Sequence, residues 1–332
     1  MRRVLHLGKR VVGRPLALAL DLVLRCSSRK GGVALVYHSV ADRPGEPWEI
    51  LPAHGTAAYT AQLRHLRRHY RVVPARELQD AVWTRGRGRR FPVAVTFDDD
   101  VHSHLAIAAP ALRTEGLPAT FFLTGASLSA PFAFWWERLQ RAVDSGVADA
   151  SLVPVGAGLQ RRLDLTPGSP DLRPVAQALE SLGVCARDHL AEVLYSRLGP
   201  DPPEAGLRAH EVRQLADAGF EIGFHTRHHH RLPLLSDTEL EEAMVEGRAE
   251  LAHAAGTETT TIAYPHGKAD GRVAAAAIEA CLSLGFTVRR AGVRPDSDPL
   301  LLPRIQPTHA SLGHFALELV GALVRSPGHR AR

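Results

Sequence analysis

Pro92-Val93-Ala94-Val95-Thr96-Phe97-Asp98-Asp99-Asp100 is a nearly unbroken apolar run that ends in three carboxylates. A strand apolar on both faces is what a parallel sheet covered by helices requires. Three adjacent acids repel one another and cost desolvation unless a cation, a donor or solvent meets them. The stretch therefore predicts a buried parallel strand over 92–97 whose C-terminal end opens onto a polar site. Downstream, 105–115 reads as a helix with Pro110 as a kink. Gly116 serves as its left-handed cap, and a strand follows over 119–123. The phrase of helix, capping glycine and strand recurs as 210–218, Gly219 and 220–224, and again as 273–284, Gly285 and 286–288. Upstream lie a strand at 33–37, a helix at 56–69, a strand at 70–73 and a helix at 76–83. An arginine-rich loop follows over 85–90, broken by Gly86 and Gly88. Repeated units of this kind predict an α/β chain with parallel βα connections.

Between 127 and 207 the rhythm stops. Trp135 and Trp136, a Gly/Pro-rich stretch over 154–170, and helical patterns over 172–182 and 188–197 read as a mostly helical insertion, about 128–208, over the mouth of the barrel. It would be a lid, a substrate shelf or a packed subdomain. The expected layout is a basic, helical arm over 1–30, a barrel over 31–320 and a basic tail over 321–332.

With 332 residues, 45% hydrophobic and 23% charged, the chain can bury a full core without disulfides. Its three cysteines, Cys26, Cys185 and Cys281, form no close pair. That argues against a disulfide framework and a cysteine-rich zinc site. The net charge of +5 is uneven: residues 1–30 carry eight basic side chains against Asp21 alone, and the remainder is slightly acidic. The body therefore gives no nucleic-acid signal. The arm's apolar stretch is far shorter than the ~20 residues of a spanning helix, and no cleavage signal follows it. Val12, Leu16, Leu20 and Val23 fall at helical spacing among basic residues, so the arm reads equally as a peripheral membrane helix or as a helix packed on the body. The expected location is cytoplasmic, with peripheral contact at the inner membrane surface through residues 1–30.

Three strands end in polar clusters: Asp98-Asp99-Asp100 after 93–97, His225-Thr226-Arg227-His228-His229-His230 after 220–224, and Tyr264-Pro265-His266-Gly267 after 261–263. In an α/β barrel, strand C-termini converge on one mouth, where active sites lie. His225 and His229 are i and i+4, so one helical turn would align both rings. With one carboxylate they supply three ligands and leave a position open, the arrangement of a catalytic zinc site. His228 and His230 read as supporting or surface residues, and Asp100 as a solvated cap for the following helix.

Thr96-Phe97-Asp98-Asp99, then His225-Thr226-x-x-His229 with Leu232 three residues on, then Tyr264-Pro265-x-Gly267, together resemble the successive motifs of the polysaccharide deacetylase family, the NodB-homology or carbohydrate esterase family 4 group. The Leu35-Val36-Tyr37-His38 opening and Ala119-Thr120-Phe121-Phe122 extend the resemblance to roughly residues 33–305. It implies a distorted (β/α) barrel and metal-dependent hydrolysis of N-acetyl groups on amino sugars of a polysaccharide or glycan precursor. It also implies that Asp98 is the base and that Asp99, His225 and His229 hold a divalent metal, with Zn2+ the expected ion. The backbone N–H of Tyr264 would help hold the oxyanion. Three positions depart from the family pattern. Asp100 replaces the usual glycine. The arginine that orients the base is missing from its usual motif, leaving Arg304 to act from another strand. The late histidine acid has no clear counterpart, and His309 and His266 are the candidates. Two other readings remain: a non-catalytic glycan-binding barrel, and a non-haem iron oxygenase, since two histidines and a carboxylate also suit Fe(II).

Overall fold

The computed structural model describes residues 13–149, 164–170, 172–180 and 184–325. The first part of the arm, the end of the tail and most of the Gly/Pro-rich 154–170 stretch lie outside the described residues.

Among the described residues ten strands form: β1 (Val33–Tyr37), β2 (Val40–Ala41), β3 (His54–Gly55), β4 (Arg71–Val73), β5 (Pro92–Asp98), β6 (Thr120–Leu123), β7 (Glu221–Phe224), β8 (Thr261–Ala263), β9 (Leu284–Phe286) and β10 (Arg304–Ile305). The main sheet runs β10-β1-β5-β6-β7-β8-β9, parallel throughout. β4 pairs with the N-terminal half of β5, and β6 pairs with its C-terminal half, while β1 runs along the other edge. The two ends of the sheet meet where Phe286 and Leu302 form a parallel bridge. There Leu302 N–H donates to Gly285 O and Thr287 N–H to Leu302 O, each at 2.8 Å. The result is a barrel distorted by its shortened strands.

Strand alternation divides the residues between two layers. Val33, Leu35, Tyr37, Val93, Val95, Phe97, Phe121 and Ile222 face outward into the main core under the helices, while Ala34, Ala94, Phe122, Ala263, Phe286 and Leu302 belong to the inner cluster. Polar inward positions are paired. Low in the barrel, Glu221 accepts hydrogen bonds from the Thr120 hydroxyl at 2.7 Å and the Thr261 hydroxyl at 3.0 Å.

The helices are α1 (Gly13–Arg25), α2 (Thr56–His69), α3 (Leu78–Trp83), α4 (Ala109–Glu115), α5 (Trp135–Asp144), α6 (Leu172–Glu180), α7 (Val184–Leu198), α8 (Ala209–Asp217), α9 (Asp237–Val245), α10 (Arg248–Ala255), α11 (Gly271–Glu279) and α12 (Leu312–Val324). Two local expectations change. Pro110 does not kink the helix; it sits in the first turn of α4, where no N–H is needed. The irregularity falls ahead of it, as a π-helical turn over His104–Ala108. Gly285 is not a cap. α11 ends near Ala280, Cys281 takes the left-handed position, and Gly285 lies inside β9. A side chain at Gly285 would collide with the Tyr264 ring, so glycine is needed there for close packing.

Between β6 and β7 the chain builds a cap. Phe134, Trp135, Trp136 and Leu139 pack with Leu172, Val175, Leu179, Leu190 and Leu194 into a core of their own. Arg138 and Asp201 are buried in it as a bidentate pair.

Candidate metal centre and active site

Inward alternation along β5 puts Thr96 and Asp98 on the lumen face, and on β7 it does the same for Glu221 and His225. Asp99 would point the other way if the strand continued. Instead its φ is +71°, and the left-handed turn brings its carboxylate to the same cavity. Thr226, His229 and His266 also have positive φ. Four of the five such non-glycine residues among the described ones therefore cluster at one mouth, where backbone strain is sustained by the surrounding structure.

The expected helical turn between His225 and His229 does not form. Thr226 and His229 take left-handed conformations, and His229 N–H donates to Thr226 O at 3.3 Å. The tight turn still brings the rings together, with centroids 4.9 Å apart. His225 Nε2 lies 3.5 Å from Asp99 Oδ1, and His229 Nε2 lies 3.4 Å from the same atom. All three residues are buried, and their donor atoms lie within 4.8 Å of one another. Asp99 Oδ1 has no hydrogen-bond partner among the described residues. Donors about 2.0–2.2 Å from a tetrahedral ion stand about 3.3–3.6 Å apart, so the orphaned oxygen and the two nitrogens fit a zinc-sized cation. His225 Nδ1–H donates to Ala263 O at 2.7 Å, which leaves Nε2 with its lone pair toward the site.

Electrostatics agree with this geometry. Burial pushes the Asp99 carboxyl up, but the imidazoles of His225 and His229 beside it outweigh burial and hold the group well below the usual range. Burial likewise pushes His229 far below an ordinary histidine, so it is neutral. Burial disfavours the His225 cation too, yet Asp98 and Asp99 raise its pKa overall.

Beside these three sits Asp98, gripped by the fully buried Arg304. Nη1 donates to Oδ1 at 2.6 Å and Nη2 to Oδ2 at 2.7 Å, and Arg304 also donates to the Thr96 hydroxyl at 3.1 Å. Burial pushes the carboxyl up, but the guanidinium overrides it and keeps Asp98 below the ordinary carboxylate range.

The sequence profile described as polysaccharide deacetylase matches residues 85–151 and 189–285. The chain belongs to the polysaccharide deacetylase family. It is thereby a hydrolase of carbon–nitrogen bonds whose family removes acetyl groups from glycans. Its fold resembles the Streptococcus pyogenes deacetylase PplD, at 16% identity and a TM-score of 0.59 over 88% of this chain and 99% of that one. It also resembles IcaB from Ammonifex degensii, at 18% identity and a TM-score of 0.56 over 87% and 97%. A putative polysaccharide deacetylase of Bacillus anthracis aligns at 16% identity and 0.56 over 88% and 69%. Comparison with curated proteins finds no match. Neither the glycan-binding nor the oxygenase reading is favoured.

Several residues of this deacetylase sit elsewhere than the sequence suggested. Asp100 is not a solvated cap. It is buried and accepts bonds from Thr124 N–H and the Thr124 hydroxyl, both at 2.7 Å, and from the Ser127 hydroxyl at 3.1 Å. It ties the end of β5 to the end of β6. Tyr264 N–H is not free for an oxyanion, because it donates to Phe286 O at 3.0 Å within the sheet. The Tyr264 ring is buried against Gly285. His309 is exposed and packs on the His54 ring, with centroids 3.7 Å apart, and is not among the residues that line the cavity. His228 is a surface residue paired with Glu246, and His230 lies 3.8 Å from Asp188.

His266 does reach the site. Its Nδ1 lies 2.7 Å from Glu180 of α6, and its ring is 4.5 Å from His229. Two contributors were missed. His38, at the end of β1, lines the cavity beside Asp98 and Asp99, and its carbonyl accepts a bond from His104 Nε2–H at 2.8 Å. Its place directly after the apolar strand at 33–37 was the available signal. Glu180 left none, since nothing in a helical pattern points one of its acids at a histidine 86 positions on. The cavity holds about 280 Å³ and is walled by Trp135, Trp136, Arg173 and Gln177 of the cap. Trp136 packs on the outer side of His229, with centroids 4.6 Å apart.

Proposed function

We propose that the protein is a metal-dependent hydrolase that removes N-acetyl groups from the amino sugars of a polysaccharide or glycan precursor. The observation that carries this reading is the orphaned Asp99 Oδ1 facing two histidine nitrogens, directly beside an ionised carboxylate. Asp99, His225 and His229 would hold a divalent cation, with Zn2+ the ion that best suits two imidazoles and one carboxylate. Bound there, such an ion would polarise the acetamide carbonyl and make water a competent nucleophile near neutral pH.

The chain's own residues supply the rest. Asp98 takes the proton from the attacking water, and Arg304 keeps it ionised and fixed in orientation. His38, half-buried at the cavity beside both aspartates, gives a proton to the departing sugar amine. The Glu180–His266 pair and the Trp135–Trp136 wall hold the sugar ring in place. The products are acetate and a free amine.

Released acetate and bound metal, measured together on N-acetylglucosamine oligomers, test this. Asp99→Ala, His225→Ala and His229→Ala should each lose metal and all measurable turnover. His38→Gln should keep metal and lose about 10²-fold in kcat, as expected for a missing general acid. Full metal occupancy in the three alanine variants would refute the ligand set.

A further inference from the structure

α1 packs on α12 through its small side. Gly13, Ala17 and Asp21 are its buried residues, and Ala17 meets Ala316 and Val320. A side chain at Gly13 would press on the Gly313 carbonyl. The large residues point outward: Leu16 is 49% exposed, Leu20 42%, Leu22 62% and Val23 69%. This inverts an ordinary surface helix, which buries its large apolar residues and shows its charges. Leu16, Leu20 and Val23 form one stripe at i, i+4 and i+7. Leu22 and Ala19 widen it, and no charged residue falls within it. The helix's one acid, Asp21, is on the packed side in an ion pair with Arg25.

The rim of this stripe is cationic. Along one flank Arg14 shares a hollow with Arg64, Arg67 and Arg68 of α2. At the C-terminal end, Gly88 N–H donates to Arg25 O at 2.8 Å and Arg87 Nε to Cys26 O at 2.6 Å. These bonds fasten the 85–90 loop, with exposed Arg87, Arg89 and Arg90, against the end of α1. Glu115, the acid beneath Arg64 and Arg67, is buried in its ion pairs with them. In sequence, Arg2, Arg3, Lys9 and Arg10 precede the helix. Among the described residues no helix is long and apolar enough to cross a membrane.

We propose that the outward face of α1 and its arginine rim form a docking surface for an anionic lipid membrane. The apolar stripe enters the boundary between headgroups and acyl chains, and the arginines meet the lipid phosphates. A second copy of the chain suits the surface less well. A twofold contact through this face would set one cationic rim against another.

The test uses the full chain and sedimentation with vesicles of 70% phosphatidylcholine and 30% phosphatidylglycerol, against vesicles of phosphatidylcholine alone, at ~0.15 M salt, where exposed charges are screened beyond ~8 Å. The intact protein should bind the anionic vesicles and not the neutral ones. The triple variant Leu16→Gln, Leu20→Gln, Val23→Gln and the double variant Arg68→Glu, Arg89→Glu should each lower the bound-to-free ratio about tenfold or more. Thermal melts of both variants should match the parent, because every altered side chain is exposed. Absence of binding to anionic vesicles would overturn the proposal, as would equal binding to neutral ones or unchanged binding by either variant. A dimer in sedimentation velocity that the triple variant dissociates, with no vesicle binding by the parent, would overturn it in favour of a second copy as the occupant.

Discussion

The strand ends of the barrel and the cap between β6 and β7 meet at one cavity, but they are built by different rules. At the strand ends, three side chains are held from other strands: Asp98 by Arg304 of β10, His225 by the Ala263 carbonyl of β8, and Asp100 by Thr124 after β6. These groups are buried, and each has a partner on another element of the closed sheet. The cap has its own apolar core and touches the site through a few long side chains, with Trp136 against His229 and Glu180 against His266. A parallel barrel thus places the reacting groups, while the cap sets what lies around them. The chemistry should be intolerant of change at the strand ends and adjustable in the cap.

The largest contrast is expected at Arg304. Arg304→Met leaves Asp98 buried without its cation, which costs about 3–5 kcal/mol and should lower the Tm by many degrees. The sign of the pH dependence follows from the Asp98 shift. Its folded pKa is held below the unfolded value of about 3.9, so the pair's contribution is fully present above that value and is lost only as pH falls through the lower, folded one. The parent should therefore keep this contribution from neutrality down to about pH 4. In Arg304→Met, the burial that pushes the Asp98 carboxyl up is no longer opposed by the guanidinium, the largest opposing influence, so stability should decline toward neutral pH as the carboxyl ionises. A melt series over pH that is the same for both proteins would show that the pair is not the anchor described.

A smaller effect is expected in the cap. Glu180→Gln removes the carboxylate that holds His266 Nδ1 while leaving α6 and the strand ends in place. KM should rise a few-fold, on the order of the 1 kcal/mol typical of one hydrogen bond, with kcat and metal content unchanged. A kcat loss as large as that of a strand-end variant would show that the cap takes part in the chemistry, and the contrast between the regions would fail.

The same contrast explains what could be read from sequence. The strands and their polar ends were legible because two-sided burial writes an apolar run, and the acids and histidines that follow it have no structural excuse. Thr56–His69 and Val33–Tyr37 stand where the pattern put them. What was not legible depended on backbone turns and distant partners. The left-handed residues Asp99, Thr226 and His229 are not glycines, so their conformations leave no compositional mark, and a helical turn was the natural reading of the histidine spacing. Asp100 looked like a helix cap because its real partners lie more than twenty residues on. Gly285 looked like a cap because its neighbour, the Tyr264 ring, arrives from another strand.

The proposed role of Asp98 is that of base beside a metal held by Asp99, His225 and His229. It is tested most directly by single-turnover acetate release from an N-acetylglucosamine oligomer by Asp98→Asn, with metal content measured on the same sample. One metal per chain is expected, as in the parent, with a rate lower by at least about 10²–10⁴-fold, because the amide cannot accept the proton. Acetate release at the parent's rate from metal-replete Asp98→Asn would contradict it.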